Sequence, residues 1–373
     1  MNSIFTAEHR QFRAEVRALI DHYDGYSTTD LTNDYPYREL YRQLGRRGWL
    51  AINWPIQYGG LAKSTIEAAI ITEELGLSNF ADRPHNLTID IAGQFLLLEG
   101  SQELKHKYLP DMARGTSFFS ILYSERQAGS DLAALTTHAQ YKQSDGVYRI
   151  YGSKIYNMYS DKSDFAICAV KTKAGVSKYD GISLFVIPLK HPNVSINVLP
   201  TISEEQFCEV ILDGVEVSEK ELIGVLHKGW SLLNKALMVE RTGLDFNIKI
   251  RRWLHIIRDQ LMLLTVQDER ILNELVQLEL KAVAGQFMSW STIYKNNQHV
   301  FDEQQSAMSK FYNSELAKEV YELILHMMTG AAKDHTHLLK TFDSILREIP
   351  GLTLAAGTSE IMLHIISSSF AKV

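Results

Sequence analysis

The chain has 373 residues, 45% of them apolar and 22% charged, with a formal net charge of −6. This is ordinary globular composition, long enough for two or three packed units, and it excludes a disordered chain. No long basic run appears, which disfavours a nucleic-acid partner and leaves room only for a local basic groove. The sequence holds two cysteines, Cys168 and Cys208, outside any CxxC pair, so they are expected as packed thiols in a reducing compartment. No charged-then-apolar leader opens the chain, and runs such as 182–189 are short of the roughly 20 residues a membrane helix needs. The expectation is a cytoplasmic protein with no membrane segment.

Residues 1–118 are helical in pattern. Phe12, Val16, Leu19 and Ile20 share one helical face behind the cap candidate Thr6. Ser64 and Glu67 are spaced as a capping box, each able to satisfy a free backbone N–H of the helix that follows. Residues 119–225 are β in character. Segments 136–141 and 147–151 flank Ser144-Asp145-Gly146, a hairpin turn signal. Segments 165–170 and 182–187 are branched and aromatic and read as buried strands, and 210–217 reads as another, interrupted at Asp213-Gly214. Residues 226–373 return to helix, with Ile271, Leu275, Leu278 and Ala282 in one stripe and Trp230, Trp253 and Trp290 as core bulk.

The most informative stretch is Tyr123-Ser-Glu-Arg-Gln-Ala-Gly-Ser-Asp-Leu132, whose small residues would let a phosphate approach backbone N–H groups. Taken alone, Gly-Ser-Asp is common turn chemistry. It does not stand alone: Gly48-Trp49 to Gly60 and Tyr108-Leu-Pro110 precede it, and Gly152-Ser-Lys154, Gly229-Trp230, Glu240-Arg241 and Gly357-Thr-Ser-Glu-Ile361 come after it. Together these segments resemble the acyl-CoA dehydrogenase family over nearly the whole chain.

The resemblance implies a fold and a reaction. The fold is α+β and mostly α: an N-terminal helical domain (1–118), a central β-barrel-like or sandwich domain (119–225) and a C-terminal four-helix bundle (226–373). In the reaction a carboxylate removes the pro-R α-proton of an acyl thioester, and a hydride leaves the β-carbon for FAD. Most members carry that base just before Gly-Thr-Ser, where this chain has Ala356. A smaller set carries it before an arginine on the first C-terminal helix, which here is Glu240, with Arg241 fixing the site. The plain alternative is an exposed carboxylate beside Arg241 or Lys235. Tyr123 and Ser124 would face the flavin edge, and Gly129 and Ser130 would lie near the pyrophosphate or the acyl channel. Tyr156 takes the place of an aromatic that covers the flavin, with a core strand aromatic as the alternative. Met158 stands where a Ser or Thr usually bonds flavin N5, and a thioether donates nothing. Thr358 and Glu360 would lie near the adenine end, or form a helix start.

The family's Arg-x-Phe-Gly segment, which reaches FAD across a subunit interface, is missing; Arg251, Arg252 or Arg258 would have to substitute. His335-Thr-His337 supplies only two ligands, so no metal site is expected, and no Rossmann glycine fingerprint follows a strand. Three readings follow: a dehydrogenase of acyl-CoA, a dehydrogenase of a carrier-protein thioester in natural-product assembly, or a non-catalytic subunit of a heteromer. The implied partners are the thioester substrate, an electron-transfer flavoprotein or similar acceptor, and further copies forming a dimer or tetramer, or a related subunit.

Overall fold

The computed structural model describes residues 5–23, 35–78, 82–175, 177–203, 205–263, 268–298, 300–329 and 335–368, without the side chains of 35–37, 238–240, 297 and 335–337. Helix accounts for 57% of it. By contact the chain forms two compact units, 1–201 with 206–239, and 202–205 with 240–373.

The first unit opens with α1 (Ala7–Asp21), α2 (Tyr35–Arg46) and α3 (Thr65–Leu77). Thr6 caps α1 by accepting the His9 N–H at 3.2 Å, and Val16 and Ile20 are buried as the helical spacing predicts. Ser64 caps α3, and Glu67 returns the bond by accepting the Ser64 N–H at 3.1 Å, so the capping box is real. Arg13 and Arg17 reach the buried carboxylates Glu73 and Glu74 of α3 at 2.6–2.8 Å, which compensates two desolvated charges. Next come α4 (Arg83–His85), a π-helical stretch Asn86–Gly93, α5 (Gln94–Glu99) and α6 (Gln102–Ala113).

The sheet has eight strands: β1 (Phe119–Leu122), β2 (His138–Lys142), β3 (Val147–Met158), β4 (Phe165–Lys171), β5 (Ile182–Pro188), β6 (Val194–Leu199), β7 (Phe207–Ser218) and β8 (Leu222–Ile223). The order is β6-β7-β3-β2-β4-β5-β8, with β1 parallel to β4. Alternation divides β4 and β5 between two cores. Ala166, Cys168, Val170, Phe185 and Ile187 meet Val210, Leu212, Val215 and Val217 of β7, so the sheet bends over its own face as a sandwich does. Ile167, Ala169, Leu184 and Val186 pack instead with Trp54, Phe95, Leu109 and other helical residues. The hairpin at 143–146 forms as expected, with Gly146 at φ +65°. The expected break at Asp213-Gly214 is a bulge: the register shifts opposite Ile150 and Tyr151, Gly214 takes φ +77°, and β7 runs through it. α7 (Gly229–Glu240) adds Leu232, Leu233 and Ala236 to the helical core.

The second unit holds α8 (Leu244–Leu263), α9 (Glu269–Asn297), α10 (Glu303–Thr329), α11 (His335–Leu352) and the shorter α12 (Ser359–Ser368). Its core takes the expected stripe Ile271, Leu275, Leu278 and Ala282 together with Trp253, Leu316, Val320 and Phe342. A buried amide pair crosses it, Asn247 Nδ2 donating to Asn313 Oδ1 at 2.9 Å. Such pairs fix the register of neighbouring helices because a misplaced partner would leave a buried polar group unsatisfied.

Candidate flavin and thioester site

The loop 123–132 leaves β1 and is held by one buried carboxylate. Glu125, 3% exposed, accepts the Thr136 N–H at 2.7 Å, the Thr137 N–H at 2.9 Å, the Thr136 hydroxyl at 2.8 Å and the Lys154 Nζ at 2.9 Å. Burial raises its pKa, but the Lys154 charge and these donors outweigh that and hold it at about 2. Lys154 is fully buried in β3 and also donates to the Tyr123 carbonyl at 3.0 Å. Glu125 and Ala128 exchange backbone bonds at 3.1 Å, which folds the loop back on itself. The result is a rigid turn that presents Ser124 half-buried and Gly129 and Ser130 exposed, while Tyr123 is buried. A Cβ on Gly129 would meet nothing within 4 Å, so the chain's own packing does not require a glycine there.

β3 carries the next two expected residues through an irregularity. Its register with β7 shifts between Lys154 and Asn157, and Tyr156 sits in that bulge at φ +59° with 63% of its surface exposed. The alternative of a core strand aromatic is therefore overturned. A left-handed non-glycine residue costs roughly 1–2 kcal/mol, and bulges re-aim side chains. Both facts suit a ring held out for a ligand rather than packed inward. Met158 is half-buried, and its carbonyl accepts the Ser120 hydroxyl at 2.9 Å. Its thioether adds no donor.

In the second unit, Glu240 ends α7 by its backbone, and its side chain lies outside the described residues. Arg241 is buried at 7% exposure, and its Nε donates to the Ala356 carbonyl at 3.0 Å. A surface arginine is thus excluded. Ala356 stands at φ +55° and Gly357 at φ +96°, two consecutive left-handed residues just before α12. Thr358 accepts the Ile361 N–H at 3.3 Å, the geometry of a helix cap, and Glu360 is exposed in the first turn with its pKa lowered by its own backbone N–H and by Thr358. Ser359 donates to Glu315 at 2.5 Å. Two residues of α10 complete the hold: Ser309 Oγ donates to the Thr242 carbonyl at 2.7 Å, and the fully buried Lys310 reaches the Leu352 carbonyl at 3.4 Å.

Arg258 is committed to Glu279, its Nε donating at 2.9 Å, while Arg251 and Arg252 are half-buried on α8. The side chains of His335 and His337 lie outside the described residues, and no cluster able to hold a metal occurs among the described ones. Among the described residues no helix is long and apolar enough to cross a membrane. Both cysteines are buried free thiols with pKa values pushed up to about 11 by burial. Sequence reasoning assigned no role to Glu125, Lys154 or Lys310. A signal existed for one pair: a lysine inside strand text, at an inward position, needs a buried acid, and the nearest loop supplies one.

The comparisons agree with this layout. Family models of the acyl-CoA dehydrogenase N-terminal, middle and C-terminal domains match residues 6–116, 120–215 and 227–370. The chain is 28% identical to "Acyl-CoA dehydrogenase FadE26" of Mycobacterium tuberculosis over 349 residues, 88% of this chain and 86% of that protein. It is 25% identical to "3-(aryl)acrylate reductase" of Clostridium sporogenes over 365 residues, 92% of each. A chain in the crystal structure of the ChsE4-ChsE5 complex from Mycobacterium tuberculosis superimposes with a TM-score of 0.85 at 26% identity, covering 99% of this chain and 98% of that one. On these matches the chain belongs to the acyl-CoA dehydrogenase family, oxidoreductases acting on CH–CH groups whose members are flavoproteins.

Proposed function

We propose that the protein is an FAD-dependent dehydrogenase that introduces an α,β double bond into an acyl thioester, with Glu240 as the base. The observation that carries this is the Arg241–Ala356 bond at 3.0 Å. It ties the residue after Glu240 to the loop position that holds the base in most members of the family. An acid rooted on that side of the turn replaces the acid that Ala356 lacks. The division at 118/119 and 225/226 belongs to the same proposal, supported by the matched ranges of the three family models.

Bound FAD would accept the hydride from the β-carbon. Ser124 and Ser130 are the hydroxyls of the loop available to it, Gly129 leaves open space for close approach, and Tyr156 offers an exposed ring to cover its face. Thr358 and Glu360 would border its adenine end. Glu240 takes the α-proton as a carboxylate and becomes a carboxylic acid, which requires a desolvated position and a raised pKa once substrate is seated. Arg241 holds the Ala356 carbonyl and so the shape of the turn, and Met158 contributes bulk without a donor.

The test is spectroscopic. The purified protein should be yellow, and acyl-CoA should bleach the flavin anaerobically. Glu240→Gln should retain FAD and slow bleaching by roughly 10²–10⁴-fold. An unchanged rate would remove Glu240 from the mechanism. Faster bleaching by a carrier-protein thioester than by the CoA ester would assign the carrier, and re-oxidation by an electron-transfer flavoprotein would assign the acceptor.

A second reading rests on the missing Arg-x-Phe-Gly segment and on Arg258, one proposed substitute, being committed to Glu279. In this reading the chain completes its FAD contacts with a related subunit, and the solved relative named as a ChsE4-ChsE5 complex is consistent with it. Colourless protein that gains FAD only on mixing with a second chain would support it; a yellow homo-oligomer would end it.

A further inference from the structure

Over its second half, the long helix α9 is inverted for a surface helix. Gln286, Ser289 and Thr292 are buried, and Ser289 Oγ accepts from Asn313 Nδ2 of α10 at 3.1 Å. The outward side is apolar instead: Leu272, Val276, Leu280, Val283, Phe287 and Tyr294 are 37–59% exposed. The exposed positions between them hold only Asn, Gln, Ala and Ser, so among the described residues this face carries no charge from 272 to 294. An amphipathic helix on an outer surface has the opposite arrangement, with charged residues turned to water.

The spacing is that of a helix seam. The six are separated by four, four, three, four and seven residues, the alternating step that keeps one line of side chains against a neighbouring helix, here over about 33 Å. The polar groups on either side are already engaged within the chain. Glu279 accepts from Arg258 Nε of α8 at 2.9 Å, Lys281 pairs with Glu319 of α10, and Ser291 Oγ accepts from Gln305 Nε2 at 2.9 Å. What remains is an apolar strip inside a polar rim, the layout of an interface core. The six side chains together expose on the order of 500 Å², and a mate presenting the same strip doubles that to about 1,000 Å², the area a stable interface needs before its rim is added.

We propose that the outward face of α9 binds a second copy of this chain, the two helices antiparallel about a two-fold axis at Val283. A two-fold contact uses the same patch on both copies, so the strip must complement itself. About Val283 it does. Leu280 faces Phe287 of the partner subunit and Leu272 faces Tyr294 of the partner subunit, an aliphatic side chain against an aromatic one each time. The ends fit as well. α9 carries Glu269 in its first turn and Lys295 in its last. Antiparallel mates set the acidic start of each helix beside the basic end of the other and oppose the helix dipoles, whereas parallel mates would set like against like.

The experiment uses the full chain. Sedimentation should give the mass of two chains or an even multiple. Val283→Glu, which buries two carboxylates against each other, should raise the dissociation constant on the order of a hundredfold while far-UV helix content is kept. The register has its own readout. Leu280→Lys and Phe287→Glu should each weaken association, and the double variant should restore it, because these positions face each other across the axis twice. Cys168 and Cys208 are buried, so an added thiol reads cleanly. Mild oxidation should join Val283→Cys to its mate as a covalent dimer, whereas Leu280→Cys, off the axis, should not join to itself. A chain that sediments as a monomer, a mass unmoved by Val283→Glu, or no cross-link at 283 overturns the inference. So does a monomer that associates only after a related chain is added. Flavin bleaching enters none of these readings, so this contact and the proposed dehydrogenation fail separately.

Discussion

Two loops, one in each unit, carry most of the candidate residues, and they are held in opposite ways. Loop 123–132 is built around a buried anion: Glu125 collects four donors, one of them the buried Lys154 ammonium. The loop before α12 is gripped by cations from outside it, Arg241 on the Ala356 carbonyl and Lys310 on the Leu352 carbonyl. The first arrangement fixes the backbone from within and leaves its outer face, Gly129 and Ser130, clear. The second grips carbonyl oxygens and stores strain at a left-handed Ala356. An anchor made from a paired buried charge is costly to break on one side only, whereas a cation taken from a carbonyl oxygen leaves behind a neutral acceptor.

The largest expected effect sharpens that contrast. Lys154→Met leaves Glu125 charged and buried without its counterion and should cost about 3–5 kcal/mol in urea unfolding. The double change Glu125→Leu with Lys154→Met should recover much of it, and full additivity of the two single losses would break the account of a coupled pair. Next in size, Arg241→Met removes the charge-assisted bond to the Ala356 carbonyl of the second loop, a bond worth about 1.5–3 kcal/mol. A loss as large as that of Lys154→Met would erase the distinction between the loops.

The pH dependence separates them further. Glu125 has a folded pKa of about 2, below its ordinary value, so its contribution is complete above the unfolded pKa. That contribution drains as pH falls through about 4.5 and is gone below about 2. Acid titration of the first unit's near-UV signal should show this limb, and Glu125→Gln should flatten it. The smallest effect is Ala356→Gly, which relieves left-handed strain of roughly 1–2 kcal/mol but frees the unfolded chain, for a net gain of about 0.5 kcal/mol in thermal unfolding. A net loss there would mean that Ala356 is not strained.

These outcomes bear on what the sequence alone made legible. Period and turn chemistry sufficed for the helix caps at Thr6 and Ser64, the hairpin at 143–146 and the α9 stripe, because each is decided within a few residues. The bulge at Asp213-Gly214 looked like a break, because a glycine reads alike in both until the partner strand is known. β6 was not expected, although Val194 and Ile196 alternate with Ser195 and Asn197 and pack against the sheet's core from its edge; the alternation spans too few residues to stand out. Within the candidate site, the motif residues stood out by resemblance. The ties that hold them, Glu125 to Lys154 and Lys310 to Leu352, span 29 and 42 positions, and no local pattern announces a partner so distant. Tyr156 was legible as an aromatic, but its outward left-handed setting depends on a register slip two strands must share.

The two thiols have a practical corollary. Cys168 and Cys208 are the whole cysteine complement, and burial holds both as unreactive protonated thiols. The native protein therefore already behaves as a silent background for maleimide chemistry. A single Ser130→Cys change would introduce one accessible attachment point on loop 123–132.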